Sequence, residues 1–352
     1  MKPATRLALS LLLTGLFLVL FLRGFDLRAA WRAAAAASPG LLALCAAINL
    51  GAYLLRAWRW RYLLAPIRKG VGMYNLTSTT LIGFMISFLV PFRIGEVVRP
   101  VLLARREKLP TGATIASIAL ERLLDTLAVM VLFLAFVLSS RGAAVLAAPG
   151  GASTGAALFL RRGVWAAAGF VLIGLPLVAI LVAVPRRVAD LLHRLNPGAR
   201  SGRVGRAIES LEGFVAGLGA VRTIGRLVPC LLLSFAMWLV IDLSVLLGVR
   251  AFGLGLRFAD MFLLIVPLGV GIAVPTPGGV GPYEFLAQVS LAGFWGVDAA
   301  RAAAVAATLH ASTLLPTIAA GLFFMWRDGL RPAEVRRLAS FAEAPAGREG
   351  AP

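Results

Sequence analysis

The chain has 352 residues, of which 60% are hydrophobic and 14% charged, and its formal net charge is +19. With a mean hydropathy of +0.89, it lacks the polar surface that a soluble domain of this size requires. The positive charge does not mark a nucleic-acid binder, because the basic residues sit in short loops between apolar runs, as the positive-inside rule expects.

The first apolar run, Leu7 to Leu22, follows Lys2 and Arg6 and is closed by Arg23. It is longer than the apolar region of a typical signal peptide and reads as an uncleaved anchor helix. Runs long enough for a spanning helix continue at 41–58, 113–138, 163–184, 226–248 and 301–326. Two further apolar stretches are interrupted: 76–110 is broken at Pro91 to Gly95, and 259–296 is broken by "PTPGGVGP" at 275–282.

Loop charge predicts the orientation. Residues 56–75 carry five Arg/Lys and no acid, 185–226 eight Arg and three acids, and 327–352 five Arg and four acids. By contrast, 139–162 has three Arg and 249–258 has two. The more basic loops, and with them both termini, are expected on the cytoplasmic side of the plasma (inner) membrane. Each broken stretch must then return to its own side as a re-entrant hairpin. The predicted fold is an all-α polytopic membrane protein with about six full spans and two re-entrant hairpins.

The organisation predicted is an anchor helix and loop at 1–40, then unit one at 41–138 with hairpin 76–110. Helix 163–184 and a basic, amphipathic loop follow within 139–225. Unit two, 226–326 with hairpin 259–296, precedes a cytoplasmic tail at 327–352 that is expected to be disordered from Ala333. One span separates the units, so they form an inverted repeat, and paired breaks in corresponding halves point to a transporter binding site. In 204–222, Ile208, Leu211, Val215 and Leu218 recur at helical spacing, which suits a membrane-surface helix or a solvated connector.

The first break, "VPFRIGEVVRP" at 90–100, frees backbone polar groups where two half-helices meet. A helix N-terminus near Ile94 beside Arg93 suits a phosphate. Glu96 can pair with an arginine or take up a proton. The plainer reading makes Arg93 and Arg99 ordinary loop cations, and Arg105, Arg106 and Lys108 topology markers. Within 113–138, Glu121 and Asp125 share a helix face, and Arg122 is three residues before Asp125. These charges either lock helix packing or contact substrate. At the second break, Gly278, Gly279 and Gly281 allow close backbone approach, and Glu284 falls in the first turn after Pro282, where it caps the helix or serves function.

Other polar residues have simpler readings. Asp242 is a lone intramembrane acid, a proton or ion candidate. Arg56, Arg59 and Arg61 alternate with Trp58, Trp60 and Tyr62 as an interfacial belt. His310 reads as a packed, hydrogen-bonded histidine. Cys45 and Cys230 read as small buried hydrophobes. No disulfide framework, metal site or cofactor is expected.

Three blocks together, "PFRIGEVVR" (91–99), "ERLLD" (121–125) and "PTPGGVGPYE" (275–284), resemble the lysylphosphatidylglycerol synthase transmembrane-region family. The resemblance covers about 41 to 326. It implies a flippase-like translocase, with Arg93, Glu96, Arg99, Glu121, Arg122, Asp125, Gly278, Gly279, Gly281 and Glu284 at substrate-binding positions. The family's best-known member carries an additional aminoacyl-transferase domain; this sequence ends soon after its last apolar run, so that activity is not expected. Other relatives are associated with glycolipid, polyprenyl-lipid or hopanoid pathways. The expected substrate is therefore an anionic, aminoacylated or polyprenyl/glyco-lipid with a phosphate headgroup. A separate lipid-modifying enzyme and a second copy of the chain are the partners considered. The rival readings are a membrane-embedded headgroup transferase and an accessory scaffold for a synthase.

Overall fold

A computed structural model of the protein describes residues 3–22, 26–147, 162–174, 224–331, 333–335 and 337–338. Every secondary-structure element among them is helical. In chain order these are α1 (Pro3–Leu22), α2 (Leu27–Ala35), α3 (Pro39–Leu64), α4 (Met73–Leu89), α5 (Gly95–Glu107), α6 (Thr111–Val137) and α7 (Ser140–Ala147). A helix α8 (Arg162–Gly174) follows. The second half holds α9 (Ile224–Ala251), α10 (Met261–Ala273), α11 (Pro282–Trp295) and α12 (Ala299–Arg327). The stretch 204–222, the second part of 163–184 and most of the tail lie outside the described residues.

Helix ends follow local chemistry. The Asp26 side chain accepts from the Ala29 amide to start α2, Ser38 accepts from Leu41 ahead of Pro39 to start α3, and Asp298 accepts from Ala300 and Arg301 to start α12. Three helices among the described residues are long and apolar enough to cross a membrane: Pro39–Leu64, Gly225–Ala251 and Ala299–Arg327. α6 is 27 residues long but carries Glu121, Arg122 and Asp125 near its middle. Large apolar side chains such as Leu12, Leu172 and Leu232 face outward, while Arg59, Glu121 and Asp242 are buried. That polarity, greasy outside and charged within, is what a bilayer solvent selects.

Both interrupted stretches are pairs of half-length helices. In the first, α4 and α5 are joined by a short 3-10 turn, Pro91–Arg93; in the second, α10 and α11 are joined through another, Pro277–Gly279. Glycines let each pair close. A Cβ on Gly95 would lie 1.8 Å from the Gly83 carbonyl, and one on Gly271 would lie 2.6 Å from the Tyr283 Cα. The second turn also approaches the end of α4, since a Cβ on Gly278 would lie 3.2 Å from the Phe88 carbonyl. α12 packs beside the first pair in the same intimate way: a Cβ on Gly321 would meet Met85 Cβ at 2.4 Å.

The structure corrects the expectation for the tail at its start. Residues 333–335 and 337–338 are helical, and Leu338 is buried in a cluster with Ile82, Met85 and Val98 of the first helix pair.

Candidate functional site

Three helices converge behind the first break. α3 contributes Arg56 and Arg59, α5 contributes Arg99, and α6 contributes Glu121, Arg122 and Asp125. Glu121 Oε1 accepts from Arg56 Nη1 at 3.1 Å, Arg99 Nη1 at 2.8 Å and Arg122 Nη2 at 2.5 Å. Asp125 Oδ2 accepts from Arg56 Nη1 at 2.9 Å and lies 3.2 Å from Arg122 Nη2. Its Oδ1 accepts from Arg59, which also donates to Ser234 Oγ on α9 at 2.7 Å. Arg99 stacks 4.0 Å over the Trp60 ring, and Trp60 Nε1 donates to Ser117 Oγ at 2.8 Å.

Four guanidinium groups thus surround two carboxylates, and all but the half-buried Arg122 are buried or nearly so. The centre carries surplus positive charge, and Arg99 Nε and Nη2 and Arg122 Nε have no hydrogen-bond partner, nor does one acceptor, Glu121 Oε2. Buried donors in that condition favour an anion.

A more accessible layer lies beside this core. The side chains of Arg93, Glu96 and Arg122 are 32%, 27% and 31% exposed. Arg93 pairs with Glu96, and Arg122 Nη1 lies 3.8 Å from the same carboxylate. Ser87, Glu96, Arg99 and Arg122 line a cavity of about 10 Å³, the scale of a single water molecule. Phe92 and Arg93 at the turn have φ of 64° and 53°. Left-handed backbone at two successive non-glycine residues is costly, and such strain gathers at functional sites.

The second break forms its own centre. Gly278, Gly279 and Gly281 have φ of 63°, 77° and 94°, a path that side-chain-bearing residues adopt only with strain. Glu284 Oε2 accepts from the Gly281 amide at 2.8 Å, which is the capping role, and Oε1 lies 2.6 Å from His310 Nδ1. Among the described residues no ion pair joins this centre to the arginine cluster.

Arg93, Glu96, Arg99, Glu121, Arg122 and Asp125 therefore gather in one place, while Gly278, Gly279, Gly281 and Glu284 gather in another. The structure corrects two readings. Arg56 and Arg59 are not belt residues: both are buried and ion-paired, as Trp60 is buried, whereas Trp58 and Tyr62 are exposed. Arg106 is not a plain topology marker, since its Nη2 lies 2.7 Å from Asp328. The usable signal for Arg56 and Arg59 was two cations one turn apart inside an apolar helix, facing two acids one turn apart in another. Both oxygens of buried Asp242 have no hydrogen-bond partner.

These features define an all-helical, polytopic membrane protein with a buried arginine–carboxylate centre behind a broken helix pair. The chain belongs to the Lysylphosphatidylglycerol synthase TM region family, which matches residues 7–321. It is also similar to Glycosyltransferase AglD of Haloferax volcanii, with 30% identity over 310 residues, 81% of this chain and 48% of that relative. The chain thus spans about half the length of the curated relative it matches.

Proposed function

We propose that the protein is a lipid translocase of the flippase type, acting on an anionic, aminoacylated or polyprenyl/glyco-lipid through its phosphate headgroup. The observation that carries this reading is the surplus of guanidinium groups at the first break. Arg93 and Arg122 are the headgroup contacts and Glu96 their partner in the closed state. Arg99, Glu121 and Asp125, with Arg56 and Arg59, hold Arg122 in place. The cavity is too small for a headgroup, so binding requires the Arg93–Glu96–Arg122 set to part. The glycine turn at Gly278, Gly279 and Gly281, with Glu284, is the opposing wall that moves. Family membership supports a lipid-linked role without fixing the lipid.

The inverted repeat with re-entrant hairpins is part of this proposal. The half-helices have 17, 13, 13 and 14 residues, about 20 to 26 Å each at about 1.5 Å per residue. The hydrocarbon core is about 30 Å thick, so each half-helix falls short of it. Both pairs close through a glycine at the same chain separation, 83 to 95 and 271 to 283. We also place both termini on the cytoplasmic side of the plasma membrane; with Arg56 and Arg59 removed from the loop count, Arg61, Arg68 and Lys69 still mark that side.

The test is movement of headgroup-labelled lipid in proteoliposomes, wild type beside Arg122→Ala and Glu96→Gln. Movement that the folded variants lose supports the proposal. Absence of movement with anionic, aminoacyl and polyprenyl lipids alike overturns it. A second reading rests on the relative's name: the chain serves a glycosyltransferase as a membrane scaffold that presents a lipid acceptor. Stable co-purification with such an enzyme, without lipid movement, favours that one.

A further inference from the structure

The second break holds a hydrogen-bond pattern whose proton count can be worked out. His310 Nε2 lies 2.9 Å from the Gly278 carbonyl, and a carbonyl only accepts. Nε2 therefore carries a hydrogen. His310 Nδ1 lies 2.6 Å from Glu284 Oε1, a contact that requires one proton between the two atoms. Glu284 Oε2 is already an acceptor for the Gly281 amide. The pair thus holds one shared proton, written either as imidazolium with carboxylate or as imidazole with carboxylic acid. Both forms are neutral overall, which suits a site in which His310 is 3% and Glu284 8% exposed.

We propose that Glu284 and His310 form a proton-binding latch for the glycine turn, and that release of its proton opens the turn during lipid movement. This rests on the translocase reading. The loaded pair ties α11 to α12 and, through Gly278 and Gly281, fixes both ends of the turn. When the shared proton leaves to water, the Nδ1 lone pair faces a carboxylate at hydrogen-bond distance, and the buried site gains a negative charge. That arrangement is repulsive. Relief comes by turning the ring, which frees the Gly278 carbonyl, or by swinging Glu284 away, which frees the Gly281 amide. Either movement unfastens backbone with left-handed glycines that rearrange freely. Gly278 rests against the Phe88 carbonyl at the end of α4, so the loosened turn parts from the helix end that leads into the Pro91–Arg93 turn.

Tyr283 of α11 stacks on the His310 ring at 4.3 Å, and Cys45 of α3 is within electrostatic reach of Tyr283. From α1 the Thr14 carbonyl and Phe17 approach Gly281; α4 presents the Phe88 carbonyl, α9 presents Gly248 against Leu309, and α10 presents Gly271 against Tyr283.

Two measurements test the latch. The chain has two histidines, so ¹⁵N-histidine labelling of a His193→Gln variant in lipid isolates His310. A spectrum with Nε2 protonated and a strongly deshielded proton shared at Nδ1 is expected. An Nε2 without hydrogen, or an Nδ1 proton without a carboxylate partner, overturns the proton site whatever the vesicles do. The second measurement compares lipid movement with and without a pH gradient, with a pH dye reporting proton flux. Wild type should respond to the gradient and carry protons. Glu284→Gln, whose amide donates to Nδ1 as the loaded acid would, should show a gradient-to-no-gradient ratio of unity. Wild-type lipid movement that ignores the gradient sinks the latch and leaves the translocase reading standing. No lipid movement in any condition, with the shared proton present in the spectrum, sinks the translocase reading and the coupling built on it.

Discussion

Glu121 and Glu96 are both acidic neighbours of Arg122, yet they should fail differently when neutralised. Glu121 has no exposed surface and faces Arg56, Arg99 and Arg122 at once, with Arg59 Nη2 at 3.6 Å. Glu121→Gln leaves four guanidinium groups around a single carboxylate. Removing one partner from a buried ionic network costs about 3–5 kcal/mol. The expected outcome is a large fall in the thermal unfolding temperature of the purified protein, or loss of expression. Glu96 is partly exposed and pairs with Arg93 and Arg122 at the edge of the cavity. A pair with this much solvent access contributes far less than the buried network, on the order of 1 kcal/mol, so Glu96→Gln should unfold close to wild type while lipid movement is lost. Equal loss of stability in both variants would make Glu96 a structural residue and remove it from the site.

The helix pairs depend on glycine contacts more than on side-chain choice. A Cβ on Gly95 would sit 1.8 Å from the Gly83 carbonyl and 2.7 Å from the Ser87 amide, both backbone atoms that cannot step aside. Gly95→Ala must therefore push α4 from α5, and overpacking of this kind costs about 1–3 kcal/mol or more. Gly51→Ala on α3 is the control, since nothing lies within 4 Å of its new Cβ, and a helical alanine gains about 1 kcal/mol over glycine. The yield of monodisperse protein should fall for Gly95→Ala and hold for Gly51→Ala; equal yields would mean the pair is looser than its geometry. The breaks themselves were legible in the sequence, because Pro91, Pro275 and Pro277 interrupt apolar runs by local backbone chemistry. The identities of Glu121, Arg122 and Asp125 were legible too, as charges that a bilayer helix does not carry without a reason. What they pair with was not. Arg56 and Arg59 lie near aromatic residues in the chain, which mimics a belt, and only the packing of α3 on α6 turns them inward. His310 was read as a packed histidine, and it is one, but its link to Glu284 depends on how α11 meets α12.

Across the whole molecule, α12 connects the two breaks. Its middle presents His310 to the second, Gly321 packs it on α4, and Asp328 just beyond its end fastens it to the first helix pair. The Asp328 carboxylate accepts from Tyr74 at 2.5 Å and from Ser78, both on α4, and lies 2.7 Å from Arg106 of α5. Burial works against the charged form of Asp328, but the hydrogen bonds from Ser78, Tyr74 and Arg106, with the Arg106 charge, hold it below the ordinary aspartate range. Because folding depresses it, its contribution is fully present above the unfolded value of about 3.9 and is lost as pH falls through the lower folded value. Hydrogen bonds to a charged group contribute about 1.5–3 kcal/mol, so Asp328→Asn should lower the unfolding temperature by several degrees at about pH 7. The difference from wild type should shrink progressively as the same scans are run at pH values stepped down below about 3.9, as folded wild type takes up the proton. A gap that stays constant between those conditions would mean Asp328 acts through shape and not through charge. If the gap closes, the fastening of α12 to α4 and α5 is electrostatic, and a conformational change that parts the helix pairs must either break this clamp or pivot about it. Lipid movement by Asp328→Asn distinguishes the two: faster movement indicates that the clamp opens in the cycle, and unchanged movement indicates a fixed pivot.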